Sequence, residues 1–312
     1  MLHLRVTCPT EVTDAVLDCL RQNPGAVHLI VLRGAAVDPP GDLIEADVAR
    51  EAADGVLAAL GDLGVDHVGG ITLEPVDTVL SDAADAAERS APGDPADAVV
   101  WDELIARTGD DSRMTFTFLA FLTLACLLAV VGVVTNSPVT VVGAMVVGPE
   151  FAPLAALAVG VVLRRGDLVR RAALALGVGF PLAMLIAAAG ALLGEWAGLI
   201  DPEVLRETNQ VDFIYDVGAF SLIVALLAGA AGMLSLTSAK SAALVGVFIS
   251  VTTVPAAGFA VVAATAGEWG KAGLSTLQLL VNLVGIAFAG VLVLLARTRR
   301  DNRNLRRPLS QG

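Results

Sequence analysis

The sequence predicts an α-helical membrane protein with about six transmembrane helices, preceded by a small soluble α+β domain. Hydrophobic residues make up 55% of the chain and charged residues 17%, and the mean hydropathy is +0.74, more than a soluble core requires. Charge is unevenly placed: residues 1–100 carry 18 acidic against 5 basic side chains, and residues 114–312 carry 10 against 13. We therefore expect an acidic head at 1–80, a linker with an interfacial helix at 81–113, a transmembrane domain at 114–297 and a basic tail at 298–312.

The head alternates strand-like and helix-like segments in the order βαββαβ. Period-two alternation or short apolar runs predict the strands, and apolar stripes with helical spacing predict the helices. This order is typical of a ferredoxin-like α+β sandwich, a fold that does not by itself fix a function. The predicted strands are 2–7, 27–32, 43–48 and 68–73, and the predicted helices are 10–23 and 52–63.

Composition also excludes several partners of the head. Its acidic charge would repel nucleic acid, so we expect no nucleic-acid binding. His3, His28 and His67 lie on or beside predicted strands, and at most two of them can converge on one face, so we expect no metal site. The three cysteines of the chain lack metal-binding spacing and are expected to be reduced thiols. We expect no cofactor.

Six apolar segments are long enough to span a bilayer, the expected lipid partner of this chain. Arginine clusters follow the second segment and the sixth, whereas the connection at 195–212 is acidic. By the positive-inside rule the clusters are cytoplasmic. We therefore expect a protein of the bacterial inner (plasma) membrane with both termini in the cytoplasm. The predicted spans are 114–134, 139–163, 168–194, 213–235, 241–266 and 273–296.

The second span contains residues that interrupt helices. Ser137 is a predicted N-cap and Pro138 the first helical residue. Pro149 and Pro153 then remove two backbone donors, so we expect the helix to kink or break beside Gly148. A break at membrane depth requires protein or a water-filled cavity to meet the freed carbonyls.

The fifth span repeats this scheme. Val245-Gly246 follow Val142-Gly143 at an offset of 103, with Pro255 in mid-span, and Arg165–Asp167 align with Trp269–Lys271 at an offset of 104. We therefore predict two three-span units, 114–197 and 213–297. Because each unit has an odd number of spans, the second enters from the opposite side, which gives the inverted repeat of many secondary transporters.

A family resemblance rests on the same residues. The run Thr-Asn-Ser-Pro-Val-Thr-Val-Val-Gly-Ala-Met at 135–145, followed by Pro149 and Pro153, resembles the domain of unknown function 389 family of bacterial membrane proteins. Val245-Gly246-Val247 with Pro255 is similar to a second stretch of that family, in which a small α/β head often precedes the bundle. Glu150 departs from the apolar segment that the family usually has between the two prolines. The resemblance implies a membrane fold and names no substrate.

Among the polar residues of the spans, Glu150 is the strongest candidate for a functional site. A carboxylate near mid-span costs roughly 2.5–3.5 kcal/mol on insertion scales, so such residues usually face an internal path or a partner. It is either a proton or cation site, or a carboxylate that snorkels or is satisfied by a neighbouring chain. Polar groups such as Gln278 either ligate a solute or hold helices together. The candidate binding residues are Asn136, Ser137, Gly143, Gly148, Pro149, Glu150, Pro153, Ser250, Thr252, Thr253, Pro255 and Asn282.

Together these features predict a secondary transporter or ion-coupled permease of a small polar solute or ion. Its site would lie at the midplane, between the breaks of spans two and five, and the head would sense a ligand or help to form a homodimer. The alternative is a non-transporting sensor or scaffold, whose head binds a ligand and whose bundle is an anchor. An anchor needs no broken helices. No GxSxG, HExxH or Walker motif is present, so we do not expect an enzyme.

Overall fold

A computed structural model describes residues 1–91, 98–200, 218–238 and 252–304. It divides into two compact units, one containing the head, Met1–Glu103, and one containing the helical domain, Leu104–Thr298. Each unit has its own core, and the two are described in turn.

The head contains a four-stranded sheet of order β2-β3-β1-β4, in which all neighbouring strands are antiparallel. The order of its elements is βαββαβ, as predicted, with one additional short helix. The second strand runs five residues further than expected and forms a hairpin with the third. The strands are β1 Leu2–Cys8, β2 Ala26–Val37, β3 Pro40–Val48 and β4 Gly70–Pro75, and the helices are α1 Thr10–Gln22, α2 Arg50–Asp62 and α3 Val65–Val68.

One face of this sheet forms the core of the head. Alternate residues of β1 and β3 are buried there, because successive side chains of a strand point to opposite faces. Apolar residues of α1 and α2, spaced by three or four, pack on the same face and give each helix one buried side. The core includes Leu2, Leu4, Val6, Cys8, Val16, Leu17, Leu20, Ile44, Val56 and Leu60.

Part of the segment expected to be a linker is helical. Asp82–Ser90 forms α4, whose N-cap Ser81 accepts a hydrogen bond from the Ala84 amide at 3.4 Å. Asp82 and Asp85 in the first turn favour this helix through its dipole, and the sequence reading underweighted both signals. The next helix, α5, spans Trp101–Asp111, near the expected interfacial helix at 98–107. Residues 92–97 lie outside the described part of the chain.

The second unit is built from long apolar helices. Four of them, α6, α9, α10 and α12, are long and apolar enough to cross a membrane, and α7 with α8 makes a fifth candidate that is bent by 49°. The described part of the chain thus has four to five such helices, where the sequence predicted six. The bounds are α6 Phe116–Val134, α7 Pro138–Val147, α8 Phe151–Val162, α9 Gly166–Trp196, α10 Ala219–Thr237, α11 Thr253–Thr265 and α12 Trp269–Asn304.

Among the described helices of this unit, α11 is the most deeply buried. It has 13 residues, of which the first eleven are buried, and it packs against α6, α7 and α9. Gly258 allows the closest approach: a Cβ added there would lie 2.4 Å from the Cβ of Ala129 on α6. Small residues at such contacts are typical of helix packing in membranes. Residues 239–251, where the expected fifth span begins, lie outside the described residues.

Helix bounds recur along the second unit. α6 and α10 begin at 116 and 219 and end at 134 and 237, so they differ by the same 103 residues that separate Glu150 from Thr253. α8 and α11 end at 162 and 265, and α9 and α12 begin at 166 and 269.

The turns that follow α8 and α11 agree in detail. Arg164 and Gly267 both have positive φ, 56° and 78°. The Arg165 amide donates to the Gly160 carbonyl and the Glu268 amide to the Ala263 carbonyl, both at 2.8 Å. These turns coincide at an offset of 103, so the offset of 104 expected at 165–167 is wrong by one residue.

Candidate functional site

The second span breaks at three residues, Gly148-Pro149-Glu150. The Gly148 amide makes the last bond of α7, to the Ala144 carbonyl at 3.2 Å, and Pro149 has no N–H with which to continue. The chain restarts as α8 with the Leu154 amide bonded to the Glu150 carbonyl at 3.3 Å. The predicted break is therefore present, but a single proline causes it.

Pro153 does not contribute to the break, contrary to the prediction. It is the third residue of α8, in the first turn, where backbone N–H groups have no intrahelical partner to lose. Pro255 is likewise the third residue of α11. Both prolines therefore lie in the first turn of a helix, where a proline is tolerated.

Glu150 is buried between the starts of α8 and α11, with 3% of its surface exposed. Its Oε1 accepts a 2.5 Å hydrogen bond from the Thr253 hydroxyl on α11, while its Oε2 is buried and has no hydrogen-bond partner. A Cβ on Gly148 would lie 2.3 Å from Oε2, so only glycine leaves room for this carboxylate. In the described part of the chain, no cationic side chain forms an ion pair with Glu150.

A chain of polar side chains continues from this pair. Thr252, next to Thr253, accepts a hydrogen bond from the Asn282 amide at 2.8 Å. The Asn282 carbonyl oxygen accepts one from Gln278 Nε2 at 3.1 Å, and the same nitrogen donates to the Ser221 hydroxyl on α10. Gln278 Oε1 is buried and unpaired. Buried polar atoms without partners are unusual, and at membrane depth they indicate a site for a polar ligand.

Ser275 extends the same face of α12. It is fully buried, and its hydroxyl donates to the Ala256 carbonyl of α11 at 2.7 Å. With Gln278 and Asn282 it follows a spacing of three and four residues, which places all three on one side of the helix. This bond meets a carbonyl in the first turn of α11.

The family match covers this site. Residues 145–288 match the model of the family described as Domain of unknown function (DUF389). Over this stretch the chain is similar to that family. The suspected resemblance to this family is thereby confirmed, and the matched residues include Pro149 and Pro153 but not the run at 135–144. Neither curated proteins nor solved structures give a match to the chain.

The structure places half of the predicted site residues together around Glu150. Gly143 is exposed on α7. Asn136 and Ser137 lie at the start of α7, about 15 Å from the break for a ten-residue helix. Ser250 lies outside the described residues. Those gathered at the site are Gly148, Pro149, Glu150, Thr252, Thr253 and Asn282, while Pro153 and Pro255 occupy the first turns beside it.

Asn136 and Ser137 have local roles in the turn before α7. Ser137 is the N-cap and accepts a hydrogen bond from the Thr140 amide at 3.3 Å, as predicted. Asn136 has φ +47°, a left-handed conformation that asparagine tolerates better than most residues. Its Oδ1 is buried without a hydrogen-bond partner.

Sequence reasoning missed two residues of the site, Ser221 and Ser275, and placed Gln278 only among general mid-span polar groups. The available signal was the spacing of Ser275, Gln278 and Asn282 along one predicted helix. No comparable signal marks Ser221, because its role depends on the packing of α10 against α12.

The head has a separate polar cluster on the sheet face opposite its core. His3 and His28 both bond to the Asp47 carboxylate, at 2.9 and 2.8 Å, and His28 also bonds to Ser81 at 2.8 Å. Burial alone would raise the pKa of Asp47, but the two histidine hydrogen bonds outweigh it and hold that pKa below its usual value. Two histidines thus converge on one face, as anticipated, while His67 lies beside Asp66 at 3.8 Å. Among the described residues, no group of three metal-ligating side chains is found.

A second carboxylate ties the β2–β3 hairpin to α1. Asp42 accepts hydrogen bonds from the Gly34 amide and the Thr13 hydroxyl, both at 2.8 Å, and from Arg33 at 3.0 Å. These bonds lower the pKa of Asp42, the backbone bond from Gly34 contributing most. Because the network satisfies each of its members within the head, we assign it to the fold.

Proposed function

We propose that this chain is a secondary transporter of a small polar solute or ion, coupled to a proton or cation at Glu150. The observation that carries the proposal is the contact between Glu150 and Thr253. It joins a buried carboxylate at one helix interruption to the start of a second helix, 103 residues later, with one carboxylate oxygen unpaired. Discontinuous helices that meet around polar groups are the usual form of a transporter site.

The proposal includes six spans arranged as two inverted three-span units, of which the fifth span contains α11. The recurring helix bounds and the matching turns after α8 and α11 support two equivalent units. Residues at equivalent positions meet each other only near the axis that relates two units. Glu150 immediately precedes α8 and Thr253 begins α11, so their contact supports an axis that passes through this site.

The charge of Glu150 gives the site its chemistry. A carboxylate sealed among apolar helices is costly unless a proton or a cation neutralises it. The amide groups at the starts of α8 and α11 favour a negative charge nearby, because the positive ends of their dipoles lie there. The site therefore supports both a charged and a neutralised state, which ion coupling requires.

The other parts of the chain have supporting roles in this proposal. The head is a ferredoxin-like domain that binds a regulatory ligand or joins two copies into a homodimer. Both termini are cytoplasmic, in the plasma membrane of a bacterium, because the arginine-rich connections follow spans two and six. A bundle that served only as an anchor would not require a carboxylate at an interrupted helix.

The proton is the probe that tests this function. The full chain is reconstituted in vesicles that contain a pH-sensitive dye, and amino acids, carboxylic acids, sugars and inorganic ions are added in turn. We expect at least one addition to drive proton movement in the parent and none to do so in Glu150→Gln, with Glu268→Gln as the matched surface control. The proposal fails if no addition moves protons in the parent, or if the parent and Glu150→Gln respond equally.

A further inference from the structure

We propose that Glu150 is loaded with a proton from one side only, the side on which α10 and α12 begin. The route follows the half-buried Ser221 and the buried side chains of Ser275, Gln278 and Asn282. This inference rests on the proposed function, because it assigns the coupling ion and its entrance to the same site. It adds three residues that the sequence had not placed there.

The route is a continuous set of polar groups within the second three-span unit, 213–297. Gln278 bonds to Ser221 in the first turn of α10 and to Asn282 one turn further along α12. Asn282 reaches Thr252, whose neighbour Thr253 donates to Glu150. Gln278 is 1% and Asn282 2% exposed, so these groups pass through the interior of the bundle.

The equivalent residues of the first three-span unit, 114–197, are apolar. At an offset of 103, Ser275, Gln278 and Asn282 correspond to Ala172, Ala175 and Gly179 on α9, and Ser221 corresponds to Phe118 on α6. All four counterparts are buried. A Cβ on Gly179 would lie 3.0 Å from the Phe118 ring, so this ring fills the space beside α9. The first unit has a similar helix arrangement and no polar route.

This difference gives the route a direction. The bond between Ser221 and Gln278 places the start of α10 beside the first turns of α12, and Arg297 near the end of α12 bonds to the carbonyl of Thr237, the last residue of α10. The two helices therefore run in the same direction. If the units are inverted, α6 and α9 begin on the other side, where Phe118 and the alanines separate Glu150 from water. By the positive-inside rule, the polar side is extracytoplasmic.

A proton fits the site better than a metal cation does. Oε2 lies against the backbone at Gly148, which leaves no space on that side for a coordinated ion. In the described part of the chain, the hydroxyl of Thr253 is the one other side chain that bonds to the carboxylate, whereas a bound metal cation usually requires six or so oxygen ligands. Glu150 acts electrostatically on the Cys126 thiol of α6. Among the described residues of α7, α11 and α12, no charged group acts on Glu150.

Thiol labelling tests the route. Ser275→Cys and Gln278→Cys are compared with Ala172→Cys and Ala175→Cys in the full chain, in intact cells and in inverted membrane vesicles. The probe is a small impermeant sulfonated thiol reagent, which reacts with thiolates in contact with water. We expect both α12 variants to label from outside at least tenfold faster than both α9 variants. The parent, with its three native cysteines, gives the background rate.

The design keeps the outcomes distinct. Ser275→Cys and Ala172→Cys are matched in burial and nearly matched in size, so a difference between them reports access to water. Labelling of both at the same rate overturns the one-sided route, and labelling of neither shows that the polar groups only hold helices together. In either case the proposed function stands if Glu150→Gln still abolishes proton movement, which separates the two failures.

Infrared spectroscopy tests the occupant. The full chain in lipid nanodiscs at neutral pH is compared with Glu150→Gln, and the C=O stretch of a protonated carboxyl is recorded in buffers containing choline or sodium. We expect a band that Glu150→Gln lacks and that sodium leaves unchanged. Loss of the band in sodium would identify a metal cation as the occupant, and its absence in both buffers would mean that Glu150 is charged; either result overturns the assignment of a proton.

Discussion

Helices α6, α8 and α9 can be compared residue by residue with α10, α11 and α12, because their bounds differ by 103 residues to within one residue, except that α12 runs five residues further than α9. The backbones agree even in the turns after α8 and α11. The buried side chains do not: the first set contributes a single carboxylate, whereas the second contributes hydroxyls and amides. A shared backbone plan thus supports different chemistry in its two halves.

The difference teaches where function separates from folding in this chain. Features shared by the halves, such as the proline in the first turn of α8 and of α11, serve the helix path. Features present in one half, such as Glu150 and Asn282, serve the site. Three substitutions test this separation, beginning with the one expected to have the largest effect.

The contact of Gly258 with α6 should tolerate no added atom. In Gly258→Ala the new Cβ would lie 2.4 Å from the Ala129 Cβ and 3.0 Å from the Ala129 carbonyl carbon. The two helices must then separate, and we expect a loss of about 3 kcal/mol, the upper part of the range for overpacking. Unfolding of the full chain by heat or by denaturing detergent measures it. Gly143→Ala, where an added Cβ meets nothing within 4 Å, is the matched control.

The other half indicates how to rescue this variant. At an offset of 103, Gly258 of α11 corresponds to Ala155 of α8, and Ala129 of α6 corresponds to Gly232 of α10. The glycine and the alanine of the first pair of helices are thus exchanged in the second pair. Adding Ala129→Gly to Gly258→Ala should therefore recover at least about 1 kcal/mol, since residues in contact couple by roughly 0.5–3 kcal/mol. Additive losses in the double variant would show that the halves do not pack equivalently.

Several parts of this arrangement could be predicted from sequence, each for an identifiable reason. Apolar runs predicted the positions of α6, α9, α10 and α12, because twenty apolar residues have few alternatives in a bilayer. The break after Gly148 followed from the missing amide of Pro149. Pro153 was misjudged because its effect depends on where the helix restarts, and that depends on packing around Glu150.

The site itself was only half predictable. The offset of 103 that aligned the valine–glycine pairs also relates Glu150 to Thr253, so the central contact could have been found by extending the alignment. The bond from Gln278 to Ser221 could not, because it depends on which face of α12 meets α10. In the head, the Ser81 cap and the acidic first turn of α4 were visible but were outweighed by a composition typical of linkers.

Thr253 should contribute next most to stability. Thr253→Val keeps the shape of the side chain but removes the hydroxyl that bonds to Glu150 at 2.5 Å. A buried carboxyl then loses its partner, and we expect a loss of about 2 kcal/mol in the unfolding of the full chain. Thr253→Ser retains the hydroxyl and should lose less than half as much. If the valine and serine variants are equally stable, the hydroxyl does not hold Glu150, and the meeting point of the two halves lies elsewhere.

The smallest expected effect concerns the turns after α8 and α11, where the halves have the same backbone and different residues. Arg164 has φ +56° and Gly267 has φ +78°, in the left-handed region that costs most L-residues about 1–2 kcal/mol. Arg164→Gly should therefore stabilise the full chain by about 0.5 kcal/mol, since the greater freedom of glycine in the unfolded chain offsets part of the relief. Gly267→Ala should destabilise it by about 1 kcal/mol for the same reason.

In the proposed topology, the charge of Arg164 has a use separate from the backbone of its turn. There, a basic connection after the second span orients the bundle, whereas the equivalent connection after α11 has no such requirement. Arg164→Ala separates the two effects, because it removes the charge and keeps the strain, so its unfolding should match that of the parent. If Arg164→Ala is stabilised as much as Arg164→Gly, repulsion from the adjacent Arg165 and not the backbone explains the gain. The turns after α8 and α11 would then differ in electrostatics alone, and they would be alike in backbone strain as well as in backbone geometry.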